Sequence, residues 1–249
     1  MKANAAEFDT RQDDVFGRIA SRYDVLCDLF SLGLHRLWKR RVAQIIAREY
    51  WRQMLDCATG TGDIILRVLN HGSLGKDQKI IASDISPQML TIAQKRLGAM
   101  KSSVDVRVLD AHSMPELPEE SIDLYSISLG LKICDRKKVL QEALRLLRPG
   151  SRLVVLEASN IPWRWLQRAY LLYMSVCMPL IGWIATGGDS SAYRYLLNGI
   201  EKFPTAEEFA QELASIGFED ISFERLTMGI VAIHTARKPR ITDLIDIKT

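Results

Sequence analysis

The sequence has no apolar run long enough to span a membrane, no closely spaced cysteine pairs and no long block of one charge sign. Each absence excludes a class of function. With 33 basic residues against 30 acidic ones, the formal charge is only +3, and nothing in the chain would track a phosphate backbone, so no nucleic acid is expected as a partner. Cys27, Cys57, Cys134 and Cys177 lie far apart in apolar or strand-like surroundings. That spacing argues against a metal site and for buried free thiols in a reducing compartment. The opening MKANAAEFDTRQDD is polar and acidic and lacks the apolar core of a secretory signal, so a cytoplasmic location is the expectation. Tyr170 to Thr186 is apolar, yet it is short of a span and holds Pro179 and Gly182. It reads as a buried or interfacial helical segment rather than a transmembrane helix.

What is present is an alternation. From Phe16 to Tyr50 apolar residues recur at helical spacing, broken near Ser31 and Gly33, which predicts an N-terminal helical cap over residues 1–50. Then the short apolar runs QMLDCA, KIIASDI, VDVRVLDA, SIDLYSISL and SRLVVLEAS alternate with helical patterns at Ile64–Asn70, Pro87–Leu97 and Lys137–Leu147. Near-continuous apolar strands of this kind belong to a parallel sheet covered on both faces. Ser86 before Pro87 caps one helix, Arg148-Pro149-Gly150 stops another, and Thr205 with Glu208 has capping-box spacing. DISFERL and GIVAIHTARK, separated by Thr227, Met228 and Gly229, predict an antiparallel hairpin. The expectation is an α/β, Rossmann-like domain over residues 51–237 with a seven-stranded, mostly parallel sheet, a helical substrate-side insertion at 159–205 and a polar tail at 238–249.

Asp56-Cys-Ala-Thr-Gly-Thr-Gly-Asp63 falls where the first strand must turn into a helix. Gly60 and Gly62 let the backbone approach a ligand, and the helix start offers unpaired N–H groups. Alone, this turn could also cradle a dinucleotide. That fingerprint, however, wants a third small residue three positions after the second glycine, where this chain has Ile65. Asp84 ends the second strand about twenty residues on, where a carboxylate accepts hydrogen bonds from ribose hydroxyls. Asp110, followed by Ala111 and His112, ends the third and can meet an adenine amino group. An acidic, glycine-lined pocket suits a cationic nucleoside without phosphate, and S-adenosylmethionine is the cofactor expected.

Several stretches resemble the UbiE/MenG family of quinone-ring C-methyltransferases: RIASRYDVLCDLFSLGLHRLWKR, LDCATGTGDI, ASDISPQML, SIDLYSISLGL, LLRPGSRLVVLEAS, SSAYRYLLNGIEKFPT and GIVAIH. The resemblance covers most of the chain. It implies the class I methyltransferase fold and methylation of a ring carbon on a prenylated quinol such as demethylmenaquinol. It also implies cofactor contacts from Thr61, Asp84, Asp110, Ala111 and Ser128; with Asp56, Gly60, Gly62 and Ile85 these form the expected cofactor set. Where the family has an Arg-Asn pair after the fourth strand, this chain has Lys132-Ile133. That departure touches the substrate side, and it leaves open a related methyltransferase of another small-molecule phenol or amine, or a catalytically silent cofactor-binding component of a biosynthetic assembly.

Lys132, His234, Tyr193 and Arg194 are the candidates for polarising a phenolic oxygen, Lys132 as phenolate partner or, if desolvated, as base. Asp189, Tyr193 and Arg194 would form one wall of the pocket or fasten the insertion to the sheet. Trp163, Trp165, Tyr170, Tyr173, Met174, Met178 and Trp183 make the insertion apolar and aromatic. That composition suits a lipid-soluble aromatic substrate and peripheral membrane contact, as it would suit core packing or a homodimer.

Overall fold

The computed structural model describes residues 23–72, 74–75, 77–98, 103–186 and 191–240. In chain order the elements are α1 (Tyr23–Ser31), α2 (His35–Ala47), β1 (Gln53–Cys57), α3 (Asp63–His71), β2 (Lys79–Asp84), α4 (Pro87–Leu97), β3 (Val104–Val108) and β4 (Ile122–Ser128). A short 3₁₀ turn (Leu131–Ile133) leads to α5 (Arg136–Leu146) and β5 (Leu147–Ala158). They are followed by α6 (Arg164–Thr186), α7 (Ser191–Lys202), α8 (Ala206–Ile216), β6 (Glu219–Leu226) and β7 (Val231–Arg237).

The seven strands form one sheet in the order β3-β2-β1-β4-β5-β7-β6. The pairs from β3 across to β5 are parallel, and β7 runs antiparallel to both β5 and β6. Side chains alternate across a strand, so each buried strand feeds two cores. Leu55, Cys57, Tyr125, Ile127, Leu153 and Val155 face α5 and α8 on one side. Met54, Leu124, Val154 and Leu156 face α2 and α3 on the other. The order reverses between β1 and β4, and the crevice for a ligand opens there, at the carboxyl ends of the strands.

Local signals act as their chemistry requires. Ser86 Oγ accepts from Met89 N at the start of α4, and Thr205 and Glu208 form the reciprocal capping box of α8. The break between α1 and α2 falls at Leu32 and Gly33, both with positive φ. Arg148-Pro149-Gly150 follows the end of α5 but lies within β5, where the register against β4 shifts between Ile122 and Leu124. The hairpin turn holds positive φ at Thr227, Met228 and Gly229. No disulfide joins the cysteines. Among the described residues no helix is long and apolar enough to cross a membrane, and no cluster of metal-ligating side chains occurs. Residues 241–249 of the expected tail lie outside the described residues.

Candidate active site

The glycine turn is held from beneath by buried charge. Asp56 is buried under it, and its carboxylate accepts from Ser126 Oγ (2.5 Å) and Thr59 Oγ1 (2.6 Å). Burial outweighs those two bonds and pushes the Asp56 carboxyl up to about 6. Asp63 opens α3 with Lys39 Nζ at 3.1 Å, Arg67 Nε at 3.2 Å and Arg96 Nη2 at 3.7 Å. Burial raises its carboxyl, but Lys39, Arg67 and Arg96 together prevail and leave it below the usual carboxylate range. The Lys39–Asp63 pair thereby fastens α2 to the turn.

Above the turn lies a cavity of about 470 Å³. At one end are Gly60, Asp84, Ile85, Asp110, Ala111 and Ser128. Asp84 accepts from Gly60 N (2.8 Å) and Ser86 N (2.9 Å), so the strand end and the glycine turn share one carboxylate. Asp110, two residues past β3, accepts from His112 N (2.9 Å). The Asp135 N–H donates to His112 Nε2 (3.0 Å), so Nδ1 carries the ring hydrogen and donates it to Asp110 Oδ1 (2.6 Å). Asp135 in turn caps α5 by accepting from Lys138 N.

Six of the nine expected cofactor residues therefore line the cavity, and the other three act from outside its lining. Asp56 supports the turn. Gly62 has φ +79°, and a Cβ there would stand 3.2 Å from Ala93 Cβ, so glycine is needed for the approach of α3 to α4. Thr61 is a correction: it is buried, and its Oγ1 accepts from Arg96 Nη1 at 2.8 Å below the turn. Gly60, by contrast, has positive φ with open space where a Cβ would be.

The other end is apolar, walled by Phe30 and Leu34 near the start of α2, by Tyr170, Tyr173 and Met174 of α6, and by Ile200 of α7. Lys132 lines it as expected, but its ammonium is engaged. Nζ donates to Leu129 O and to Glu157 Oε1 (3.2 Å), while the Lys132 N–H donates to Glu157 Oε2 (3.0 Å). Both side chains are buried. Lys132 is thus a structural cation locked to β5, which its sequence context did not reveal. α7 closes over this turn: a Cβ on Gly199 would lie 2.9 Å from Lys132 O. Tyr193 and Arg194 fall in α7, but their side chains, like Asp189, lie outside the described residues.

His234 is the second correction. It does not line the cavity; it packs edge-on against Phe209 (centroids 4.8 Å apart) and beside Phe223 (5.3 Å). Its Nε2 donates to Ala206 O (2.9 Å) at the start of α8. Burial lowers its pKa from the usual 6.5 to about 4. The neutral ring's contribution to stability is therefore complete above about 6.5 and lost as pH falls towards 4, on the order of 3 kcal/mol. His234→Gln, which can keep the bond to Ala206 O, is expected to flatten the fall in melting temperature on acidification while leaving methyl transfer at neutral pH unchanged. Parallel melting curves for the two proteins would contradict this role.

Two residues the sequence reading passed over also face the cavity: Glu157 and His35. Glu157 ends a strand as Asp84 does, a signal that could have found it. His35 was hidden in a helical repeat of apolar positions. Cys134 also lines the cavity, but burial raises its thiol far above the nucleophilic range.

The residues fit a cationic nucleoside. Ser128 Oγ is buried on the cavity wall without a hydrogen-bond partner. Two carboxylates flank the glycine turn, and Lys132, the one lysine or arginine among the described lining residues, is paired with Glu157. Ile65 is fully buried in the sheet–helix core, where a dinucleotide fold would want a small residue.

Comparison with known proteins points the same way. A methyltransferase from Thermotoga maritima superposes with a TM-score of 0.63 at 18% identity, covering 90% of this chain and 98% of that one. A phosphoethanolamine N-methyltransferase from Haemonchus contortus, solved with S-adenosyl-L-methionine, gives 0.57 at 16% identity over 80% and 52% of the two chains. These likenesses establish the class I methyltransferase fold. The "Ubiquinone/menaquinone biosynthesis C-methyltransferase UbiE" of Roseobacter denitrificans is 38% identical over 231 residues, covering 92% of this chain and 90% of that protein. The mitochondrial "2-methoxy-6-polyprenyl-1,4-benzoquinol methylase" of Caenorhabditis elegans is 35% identical over 94% and 82% of the two chains. The model of the ubiE/COQ5 methyltransferase family matches residues 4–238, from the N-terminal segment to the end of the last strand. With sheet order, acidic strand ends and relatives spanning nearly the whole length in agreement, this methyltransferase belongs to the ubiE/COQ5 family.

Proposed function

We propose that the chain methylates a ring carbon of a prenylated quinol, a demethylmenaquinol-like naphthoquinol or its benzoquinol counterpart, with S-adenosylmethionine as donor. The observation that carries this reading is one cavity with two chemistries, acidic and glycine-lined at the strand ends and apolar and aromatic under α1 and α6. The names of the relatives support the quinol.

The cofactor supplies an electrophilic methyl group on a sulfonium. Asp84, which lines the cavity, would accept from the ribose hydroxyls, and Asp110 with Ala111 would meet the adenine. Gly60 opens room beside the strand ends, and Ser128 Oγ offers a hydrogen bond beneath. The apolar wall would exclude water and orient the ring for methyl transfer; orientation of this kind contributes up to roughly 7–11 kcal/mol to such reactions.

The prenyl tail calls for an exit towards lipid. Trp163, Trp165, Leu172, Val176 and Leu180 of the α6 region are exposed, as are Leu29 and Leu32 beside α1, and Arg164 and Arg168 stand among them. That mixture of indole, aliphatic and guanidinium groups supports contact with a bilayer surface. A second reading, methylation of a different phenol or an amine, is favoured by Ile133, an apolar side chain in the cavity wall where the resemblance leads one to expect an amide. Incubation with labelled S-adenosylmethionine and bacterial lipid extract is expected to give a prenylated quinol heavier by one methyl group. Label appearing only in water-soluble phenols or amines would favour the second reading, and no labelled quinol would end the first.

A further inference from the structure

We propose that His35 accepts the proton of the ring hydroxyl on its Nε2 as the ring carbon is methylated; this rests on the reading of the chain as a quinol methyltransferase. His35 begins α2, is buried, and lines the cavity. Its tautomer follows from its neighbours. Ser31 Oγ donates its one hydrogen to Cys27 O (2.6 Å), so His35 Nδ1, 2.9 Å from that same oxygen, is the donor of the pair. Asp28 Oδ1, 3.7 Å from Nδ1, favours the hydrogen there as well. Nε2 is left with its lone pair and no hydrogen bond among the described residues.

Position agrees with this. His35 lies one helical turn before Lys39, whose pair with Asp63 ties α2 to the glycine turn, and it lines the cavity together with Gly60 and Asp84 and with Phe30 and Tyr170. Other bases are occupied or elsewhere. Glu157 accepts from three N–H donors, His112 bridges Asp110 and Asp135, and His234 is outside the cavity.

The step balances. The acceptor's O–H bond breaks, with its proton going to Nε2, and the oxygen electrons raise the density at the adjacent ring carbon. That carbon bonds the methyl group while the sulfur–methyl bond breaks, its electron pair staying on sulfur. The methylated carbon then loses its hydrogen to solvent as the imidazolium returns its proton to oxygen, for a net release of one proton. Burial first, and Lys39 next, hold His35 below the usual histidine range, so it is neutral and ready to accept at neutral pH. The charges that act on it are Arg36 and Lys39 on its own helix, Asp28 on α1 and Asp63 on α3, while the Lys132–Glu157 pair, Asp84 and Asp110 line the same cavity.

The test compares His35→Asn, which can keep an N–H towards Ser31, and His35→Gln with the unaltered enzyme. Measured are kcat and KM for a prenylated quinol across acid to neutral pH, and S-adenosylhomocysteine affinity by calorimetry. Expected is a loss in kcat on the order of a hundredfold or more in both variants. KM and homocysteine-nucleoside affinity should stay within about twofold. The acid limb of the wild-type profile, where rate falls as pH drops through the His35 value, should disappear, and added imidazole should restore part of the rate to His35→Ala. If the variants keep kcat and the acid limb, the assignment of His35 is wrong and the quinol reading stands. If they lose nucleoside binding together with kcat, His35 is structural and the proposal fails. If the unaltered enzyme methylates no quinol, both fall together.

Discussion

Asp84→Ala is expected to weaken S-adenosylhomocysteine binding by on the order of a hundredfold, through loss of roughly 3 kcal/mol of charge-assisted hydrogen bonding. The carboxylate does two things at once. It accepts the Gly60 and Ser86 N–H groups, which fixes the glycine turn against the end of β2, and it lines the cavity. Alanine removes both functions, while Asp84→Asn keeps one acceptor oxygen and the side-chain volume and should fall between. The core does not depend on this side chain, so far-UV circular dichroism should be unchanged. An affinity within about threefold of the unaltered protein would remove Asp84 from the cofactor site.

The second large effect concerns the buried pair of Lys132 and Glu157. Glu157→Gln leaves a buried ammonium with Leu129 O and a neutral amide in place of its counter-charge. Breaking one partner of such a pair costs about 3–5 kcal/mol. In a chain of this size that lowers the melting temperature by on the order of 10 °C. Lys132→Met should cost a comparable amount, because Glu157 then keeps only the N–H groups of Lys132 and Ala158. The double variant Lys132→Met with Glu157→Gln should recover most of the loss, and the double-mutant cycle measures the coupling. Strict additivity would mean that the ion pair does not hold the 129–133 segment to β5.

The contrast between Lys132 and Asp84 shows what the chain could reveal before folding. Strand-end acids and the glycine turn are local: each sits in a motif whose backbone geometry follows from neighbouring residues, so Asp84, Asp110 and Gly60 were legible. The sheet was legible too, because its parallel strands hold short apolar runs such as residues 80–82 and 153–156 and its helices carry caps such as Ser86 and Thr205. Lys132 and His234 depended on partners far along the chain, Glu157 at 25 residues and Ala206 at 28, and no local pattern reports such pairings. A polar residue in an apolar strand looks the same whether it faces a cavity or, like His234, lies between Phe209 and Phe223. Thr61 was misplaced for a finer reason: within a three-residue turn, the side chain can point to the ligand or, as here, down to Arg96. His35 escaped because its helix reads as an apolar stripe, and only the fold turns that stripe towards the cavity.

A crystal structure with S-adenosylhomocysteine is the most direct measurement of whether acid-ended strands and the apolar wall serve one reaction. The ribose hydroxyls should lie on Asp84, the adenine beside Ile85 and Ala111, and the sulfur should face the space between His35 and Tyr170. A nucleoside bound outside this cavity, or a sulfur turned away from the aromatic wall, would contradict the account.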